Sequence, residues 1–162
     1  TDAIAVPTDI VNKWGDLKWE NGDLGYPVAE ATEYNGGLVQ KFQNGYVTRS
    51  PKGTNNWVRG AIAAKYGELQ TAKSKLGYPT SDEKSINGGA FQEFENGNIY
   101  WSPATGAHVI YYGDIYKAWG EKGYEQGEYG YPTSDQESAS GSITFQGGKM
   151  SQSNGKVREE RN

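Results

Sequence analysis

Acids and aromatic rings are the side chains of this sequence best suited to chemistry. Asp82, Glu83, Glu93, Glu95, Asp135 and Glu137 lie in or beside turn and strand segments. Two carboxylates held about 5–10 Å apart, one with a raised pKa, would suit glycoside hydrolysis. Yet Thr80-Ser81-Asp82-Glu83 returns in part as Thr133-Ser134-Asp135. Hydroxyls and carboxylates in that arrangement bond nearby backbone amides and fix a turn. A catalytic pair is ordinarily unique in a chain, so the pattern points away from an enzyme and assigns no catalytic residue. His108 is the single histidine and cysteine is absent, which leaves no metal-binding set of fitting spacing. No calcium loop and no phosphate-binding glycine loop occurs, so no cofactor is expected.

The rings suggest binding. A sugar presents apolar C–H faces to an aromatic ring, and its hydroxyls need amides, carboxylates and hydroxyls. Tyr100, Trp101 and Tyr112 could supply the rings, and Arg49, Asp82, Glu83 and Asn98 the polar contacts. Trp101 occupies a position held elsewhere by Arg49 and Gln152, which places it at a margin of the core. Tyr100 corresponds to Thr48 and Ser151, which predicts a solvent-tolerant face. The competing structural role, for each ring taken singly, is to cover a loop.

The elements that must hold these residues repeat along the chain. Leu24-Gly25-Tyr26-Pro27, Leu76-Gly77-Tyr78-Pro79 and Tyr129-Gly130-Tyr131-Pro132 recur at intervals of 52 and 53 residues, the mark of a repeat protein. Before each comes a short amphipathic segment with an apolar pair four apart: Ile10 and Trp14, Ile62 and Tyr66, Ile115 and Trp119. That spacing predicts a short helix whose ring is core. Tyr26, Tyr78 and Tyr131 are likewise expected to pack in the core.

After each helix the pattern predicts three strands, as in Ala90–Glu95, Asn98–Ser102 and Ala107–Tyr111, with Asn96-Gly97 as a tight turn needing positive φ at both residues. The third copy is degraded, having lost about one residue before Phe145. The expected fold is thus an α+β repeat protein: three units of short helix plus three-stranded β-meander packed around a pseudo-symmetry axis. The copies span about residues 9–60, 61–113 and 114–158 within a single 1–162 domain. Residues 3–6, in the segment 1–8, resemble a third strand lacking its first two. They could close the last sheet into a ring and remove an open edge, or form an N-terminal tail.

Bulk properties narrow the partners. The 162 residues carry a net charge of −4 with scattered cations, unlike the clustered Lys and Arg that neutralise nucleic-acid phosphates. No apolar run reaches the length of a membrane span. The chain opens without a charged and apolar leader, so an exported protein would already have lost its signal peptide.

The assembled motifs, Ile-x-x-Lys-Trp, Gly-x-Leu-Gly-Tyr-Pro, Thr-Ser-Asp-Glu and Gly-Gly-x-x-x-x-Phe-x-x-Gly-x-Ile-Tyr-Trp-Ser-Pro-x-Thr-Gly-Ala, resemble the LGFP repeat family, with Tyr where the family name has Phe. The resemblance covers about residues 9–155. It implies a secreted, cell-envelope protein of mycolic-acid-containing actinobacteria. In that family the repeats accompany mycolyltransferases and cell-wall amidases and are thought to hold them on the wall by binding arabinogalactan, without being catalytic. The expected function is therefore cell-wall polysaccharide binding. An envelope protein-interaction or spacer module is the alternative, and a wall hydrolase the third.

Overall fold

In the computed structural model, which describes residues 3–162, the helix–loop–sheet pattern occurs three times. The elements are α1 (Thr8–Asp16), β1 (Thr32–Tyr34), β2 (Gly37–Phe42), β3 (Gly45–Arg49), β4 (Asn55–Arg59), α2 (Gly60–Glu68), β5 (Lys84–Ile86), β6 (Gly89–Glu93), β7 (Gly97–Ser102), β8 (Gly106–Tyr111), α3 (Asp114–Glu121), β9 (Ile143–Phe145), β10 (Gly148–Ser153) and β11 (Lys156–Arg161). The sheets are antiparallel, ordered β1-β2-β3-β4, β5-β6-β7-β8 and β11-β10-β9. The first two therefore have four strands where three are expected. The added strands, β1 and β5, are short and start hairpins at Asn35-Gly36 and Asn87-Gly88. Asn35 (φ 53°) and Gly36 (φ 87°) have the two positive φ angles of a tight hairpin turn.

The turn expected at Asn96-Gly97 is different. Gly97 is extended within β7, paired with Tyr111. It is glycine because a Cβ there would lie 2.5 Å from the Ile110 carbonyl oxygen. The third copy lacks the extra strand, and Phe145 stands 13 positions after Pro132 where the other copies have 15, so two residues are missing rather than one. In each copy the motif proline bridges to a phenylalanine: Pro27 to Phe42, Pro79 to Phe94 and Pro132 to Phe145.

The expected N-terminal closing strand is not formed. Residues 3–7 belong to no strand, and Thr1 and Asp2 lie outside the described residues. The edge of β10 is taken instead by β11, in register from Ser153 opposite Lys156 to Gly148 opposite Arg161. The charges of β11 do not prevent pairing, because nearly all its side chains face solvent. Ala5 turns elsewhere: its N–H donates to Glu30 at 3.4 Å and its carbonyl accepts from Gln40 at 3.0 Å.

Two compact units result. Unit one runs to Glu83 and takes in Glu93–Glu95; unit two comprises Lys84–Gln92 and Asn96–Asn162. In unit one, Ile10, Leu24, Phe42 and Val47 form a buried cluster against which Trp14 and Trp57 pack. In unit two the cluster holds Tyr100, Ile110, Ile115, Trp119, Tyr129, Tyr131, Ile143, Phe145 and Met150. Full burial of such a side chain contributes about 1.5–3 kcal/mol.

One bond recurs in every copy. The ring of the helix aromatic donates to the glycine carbonyl of the Gly-Tyr-Pro turn: Trp14 to Gly25 at 3.1 Å, Tyr66 to Gly77 at 2.9 Å and Trp119 to Gly130 at 3.1 Å. This tie explains why the helix ring and the turn recur together. Tyr66 and Trp119 are buried as expected, but Trp14 is half-buried, with Trp19 edge-on at 5.2 Å.

Candidate functional site

The strand–helix corners decide which side chains remain available. β7 is buried along most of its length, and this removes two expected contact residues from the surface. Tyr100 is 4% exposed, stacked on Phe91 at 5.0 Å and edge-on to Trp119 at 4.9 Å, and burial pushes its phenol pKa up. Its counterpart Thr48 did not signal solvent, because that threonine is itself buried, its hydroxyl donating to the Asn56 carbonyl at 3.4 Å. Asn98 is also buried, donating to the Tyr116 hydroxyl at 3.2 Å and accepting from Tyr112 at 2.6 Å. Trp101 is half-buried near the end of β7. Tyr112 is exposed on one side and lies edge-on to Tyr116 at 5.0 Å.

The polar candidates of unit one hold the scaffold. Asp82 accepts from Lys13 Nζ at 2.8 Å and from the Trp57 backbone N–H at 3.0 Å. Glu83 accepts from Arg59 at 3.0 Å, and Arg49 reaches Asp9 at 3.3 Å. In unit two, Asp135 does the work of Asp82: it accepts from the Val109 N–H at 3.2 Å and pairs with His108 Nδ1 at 3.1 Å. The other nitrogen of His108 lies 2.7 Å from the Thr105 carbonyl. The recurring turn acids thus bond backbone amides of a neighbouring strand, as their repetition predicts. Another such device was concealed in the sequence. Gln43, Glu95 and Gln146, each following the bridged phenylalanine, accept from the N–H of Tyr26, Tyr78 and Tyr131 at 3.0, 2.8 and 2.9 Å.

Unit one has a groove of 740 Å³ between the tip of the β2–β3 hairpin and α2. Lys41, Gln43, Asn44 and Tyr46 line the sheet side, Asp23 and Arg59 the end, and Gly60, Ala63, Ala64 and Gly67 the helix side. Small residues on one face of α2 leave this space. A Cβ on Gly67 would lie 2.6 Å from the Tyr46 hydroxyl, so glycine lets that ring lie against the helix. Tyr46 is also edge-on to Tyr66 at 5.8 Å, and burial raises its pKa. Arg59 bonds Asp23 and Glu83 and lies 4.9 Å above the Trp57 ring. Burial opposes its charge, but the two carboxylates more than offset that and its pKa is raised. Lys41 and Tyr46 also line an adjoining cleft of 370 Å³, with Tyr34, Gln70, Thr71 and Lys73.

The corresponding corner of unit two carries larger side chains. Gly45 pairs with Arg59 and Gly97 with Tyr111. Two residues separate Arg59 from Ile62, but three separate Tyr111 from Ile115. The extra residue, Tyr112, accounts for the longer second period. It folds against Tyr116, which stands where α2 has Ala63, and the two hydroxyls clasp Asn98. Ala63-Ala64 against Tyr116-Lys117, together with one inserted tyrosine, was the available sequence signal for the groove.

Among the described residues no group of three His, Asp or Glu side chains could hold a metal ion, and no helix is long and apolar enough to cross a membrane. No curated protein matches the chain. The LGFP repeat family model matches it twice, at residues 24–74 and 76–127, with each match beginning at a Leu-Gly-Tyr-Pro motif. Two matches covering more than half of the sequence, on a scaffold whose recurring bonds run through those motifs, show that this chain belongs to the LGFP repeat family, a repeat module of cell-envelope proteins.

Proposed function

We propose that this chain is a non-catalytic module that binds cell-wall polysaccharide of the arabinogalactan type, with the groove of unit one as its sugar surface. One observation carries the reading. The groove joins a tyrosine ring to lysine, amide and guanidinium side chains, the mixture that stacks on C–H faces and bonds hydroxyls. Asp23 is the one acid lining it and is engaged by Arg59. Hydrolysis would need a second, facing carboxylate. Asp82 and Glu83 are held in bonds to Lys13, Trp57 and Arg59. Such a module would hold envelope enzymes on the wall, among them the mycolyltransferases and amidases that the family resemblance implies. Trp101, half-buried on unit two, remains a second sugar-contact candidate.

Titration of purified arabinogalactan by calorimetry tests the assignment. Ala64 is exposed, so Ala64→Tyr should fill the groove with little effect on folding and reduce affinity at least tenfold. Lys41→Ala should weaken binding less. Full affinity in folded Ala64→Tyr, with loss in Trp101→Ala, would move the site to unit two. Absence of binding by the folded wild-type protein would end the polysaccharide reading.

A further inference from the structure

We propose that the Tyr26 face of the first copy is a docking surface for the Asn-Gly-Gly β-hairpin of a further LGFP-type repeat, outside residues 1–162. The chain displays this docking twice. Within unit one, Tyr78 is 1% exposed and its hydroxyl donates to the Tyr34 carbonyl, beside the Asn35-Gly36-Gly37 turn. Within unit two, Tyr131 is 6% exposed and donates to the Asn87 carbonyl at 2.8 Å, in the Asn87-Gly88-Gly89 turn. The second glycine makes room for each ring. A Cβ on Gly37 would lie 2.5 Å from Tyr78 Cζ, and one on Gly89 2.8 Å from the Tyr131 hydroxyl.

Tyr26 is built the same way and meets no hairpin among the described residues. Its preceding glycine has φ 75°, against 81° and 70° at Gly77 and Gly130. Its N–H is held by Gln43 as those of Tyr78 and Tyr131 are held by Glu95 and Gln146. The ring is nevertheless 56% exposed, and Val28, which replaces Thr80 and Thr133, is 46% exposed two residues on. Tyr26 and Val28 thus form an exposed apolar pair on a backbone shaped like that of the two covered copies. The occupant follows from the two filled examples: a glycine-turn hairpin offering a backbone carbonyl to the hydroxyl and a gap to the ring. Both Asn-Gly-Gly hairpins within residues 1–162 are taken by Tyr78 and Tyr131, so the hairpin belongs to a repeat outside them.

The test uses isotope-labelled full-length protein and a synthetic peptide of residues 84–93, cyclised through its ends to hold the hairpin. Saturable amide shifts at Tyr26, Val28 and Gln43 are expected. They should vanish in Tyr26→Ala, whose undisturbed spectrum elsewhere reports an intact fold, and should not arise with a peptide carrying Gly89→Ala. Failure of the unmodified peptide to shift these amides would overturn the proposal. So would equal shifts from the Gly89→Ala peptide, or shifts that persist in Tyr26→Ala. Shifts at Tyr26 caused by arabinogalactan and not by the peptide would make the ring part of a sugar surface, and would also overturn it.

Discussion

Where β4 meets α2 in unit one there is a 740 Å³ groove, while the corresponding corner of unit two, between β8 and α3, is filled by Tyr112, Tyr116 and Asn98. Both corners follow the same sheet architecture and lead into a helix whose aromatic ring bonds a Gly-Tyr-Pro turn. One inserted residue and an alanine-to-tyrosine exchange account for the difference. The contrast separates two kinds of position. Residues shared by the copies hold the turns and helices, and residues that differ decide whether a corner is open or sealed.

The largest expected effect probes the shared positions. Trp119 is completely buried and ringed by Tyr100, Tyr116, Tyr124 and Phe145 at 4.9–6.2 Å, and Trp119→Ala should cost about 3–5 kcal/mol. Trp14 makes the same hydrogen bond but is half-buried, with rings of Trp19 and Phe42 beside it, so Trp14→Ala should cost about half as much. Urea-unfolding midpoints measure both. Equal losses would mean that the backbone tie, and not the enclosing rings, sets the energy.

How much of this was legible follows from particular residues. The period, the helices and the structural use of Asp82 and Asp135 were readable, because an interaction needed in every copy leaves the same residue type in every copy. Tyr100 departs from the expected exposure because its counterparts Thr48 and Ser151 are polar, and polarity does not require exposure. Thr48 is buried by bonding backbone, which its residue type alone does not disclose. Tyr26 departs from the expected burial for the opposite reason. Its local sequence is that of the buried copies, and what it lacks is a hairpin supplied from outside its own repeat. The groove is not legible in the pattern of rings and acids, because its space is made by the small residues Ala63, Ala64 and Gly67.

A smaller effect separates two glycines of the first copy. Gly37→Ala places a methyl against the Tyr78 ring and the Arg49 carbonyl, at 2.5 and 2.6 Å, and should destabilise by about 1–3 kcal/mol. Gly53 has open space around it and only a positive φ of 90° to lose, so Gly53→Ala should cost about 1 kcal/mol. If thermal melts showed the two alike, close approach of the ring would not be what selects glycine at position 37.

Burial raises the pKa of several phenols. The Tyr129 pKa is raised from 10.0 to about 12, by burial first and then by its hydrogen bond to Glu159. Burial raises Tyr66, Tyr78 and Tyr131 as well. A phenol whose folded pKa lies above its unfolded value favours the folded state while protonated. Its stabilisation is complete below the unfolded pKa of 10.0 and is lost as pH rises through about 12. Unfolding free energy should therefore fall with rising pH across that window, and less steeply in Tyr129→Phe. A parallel fall in the variant would show that Tyr129 ionises freely in the folded protein.

The smallest effect tests the comparison most directly, because it sets identical motif residues against each other. Tyr78 and Tyr26 share sequence, turn geometry and a side-chain acceptor for the backbone N–H, and differ in whether a hairpin covers the ring. Tyr78→Ala removes a buried ring and leaves the Tyr34 carbonyl without its donor, and should cost about 3–5 kcal/mol. Tyr26→Ala removes a ring that is mostly in water and should change stability by no more than about 0.5 kcal/mol. A large loss in Tyr26→Ala would mean that the ring is already engaged in the isolated chain, and the first two copies would then owe their stability to like contacts. A negligible change would show that the motif tyrosine stabilises a repeat only through the hairpin that receives it, which makes its energetic role a property of the contact between repeats and not of the repeat that carries it.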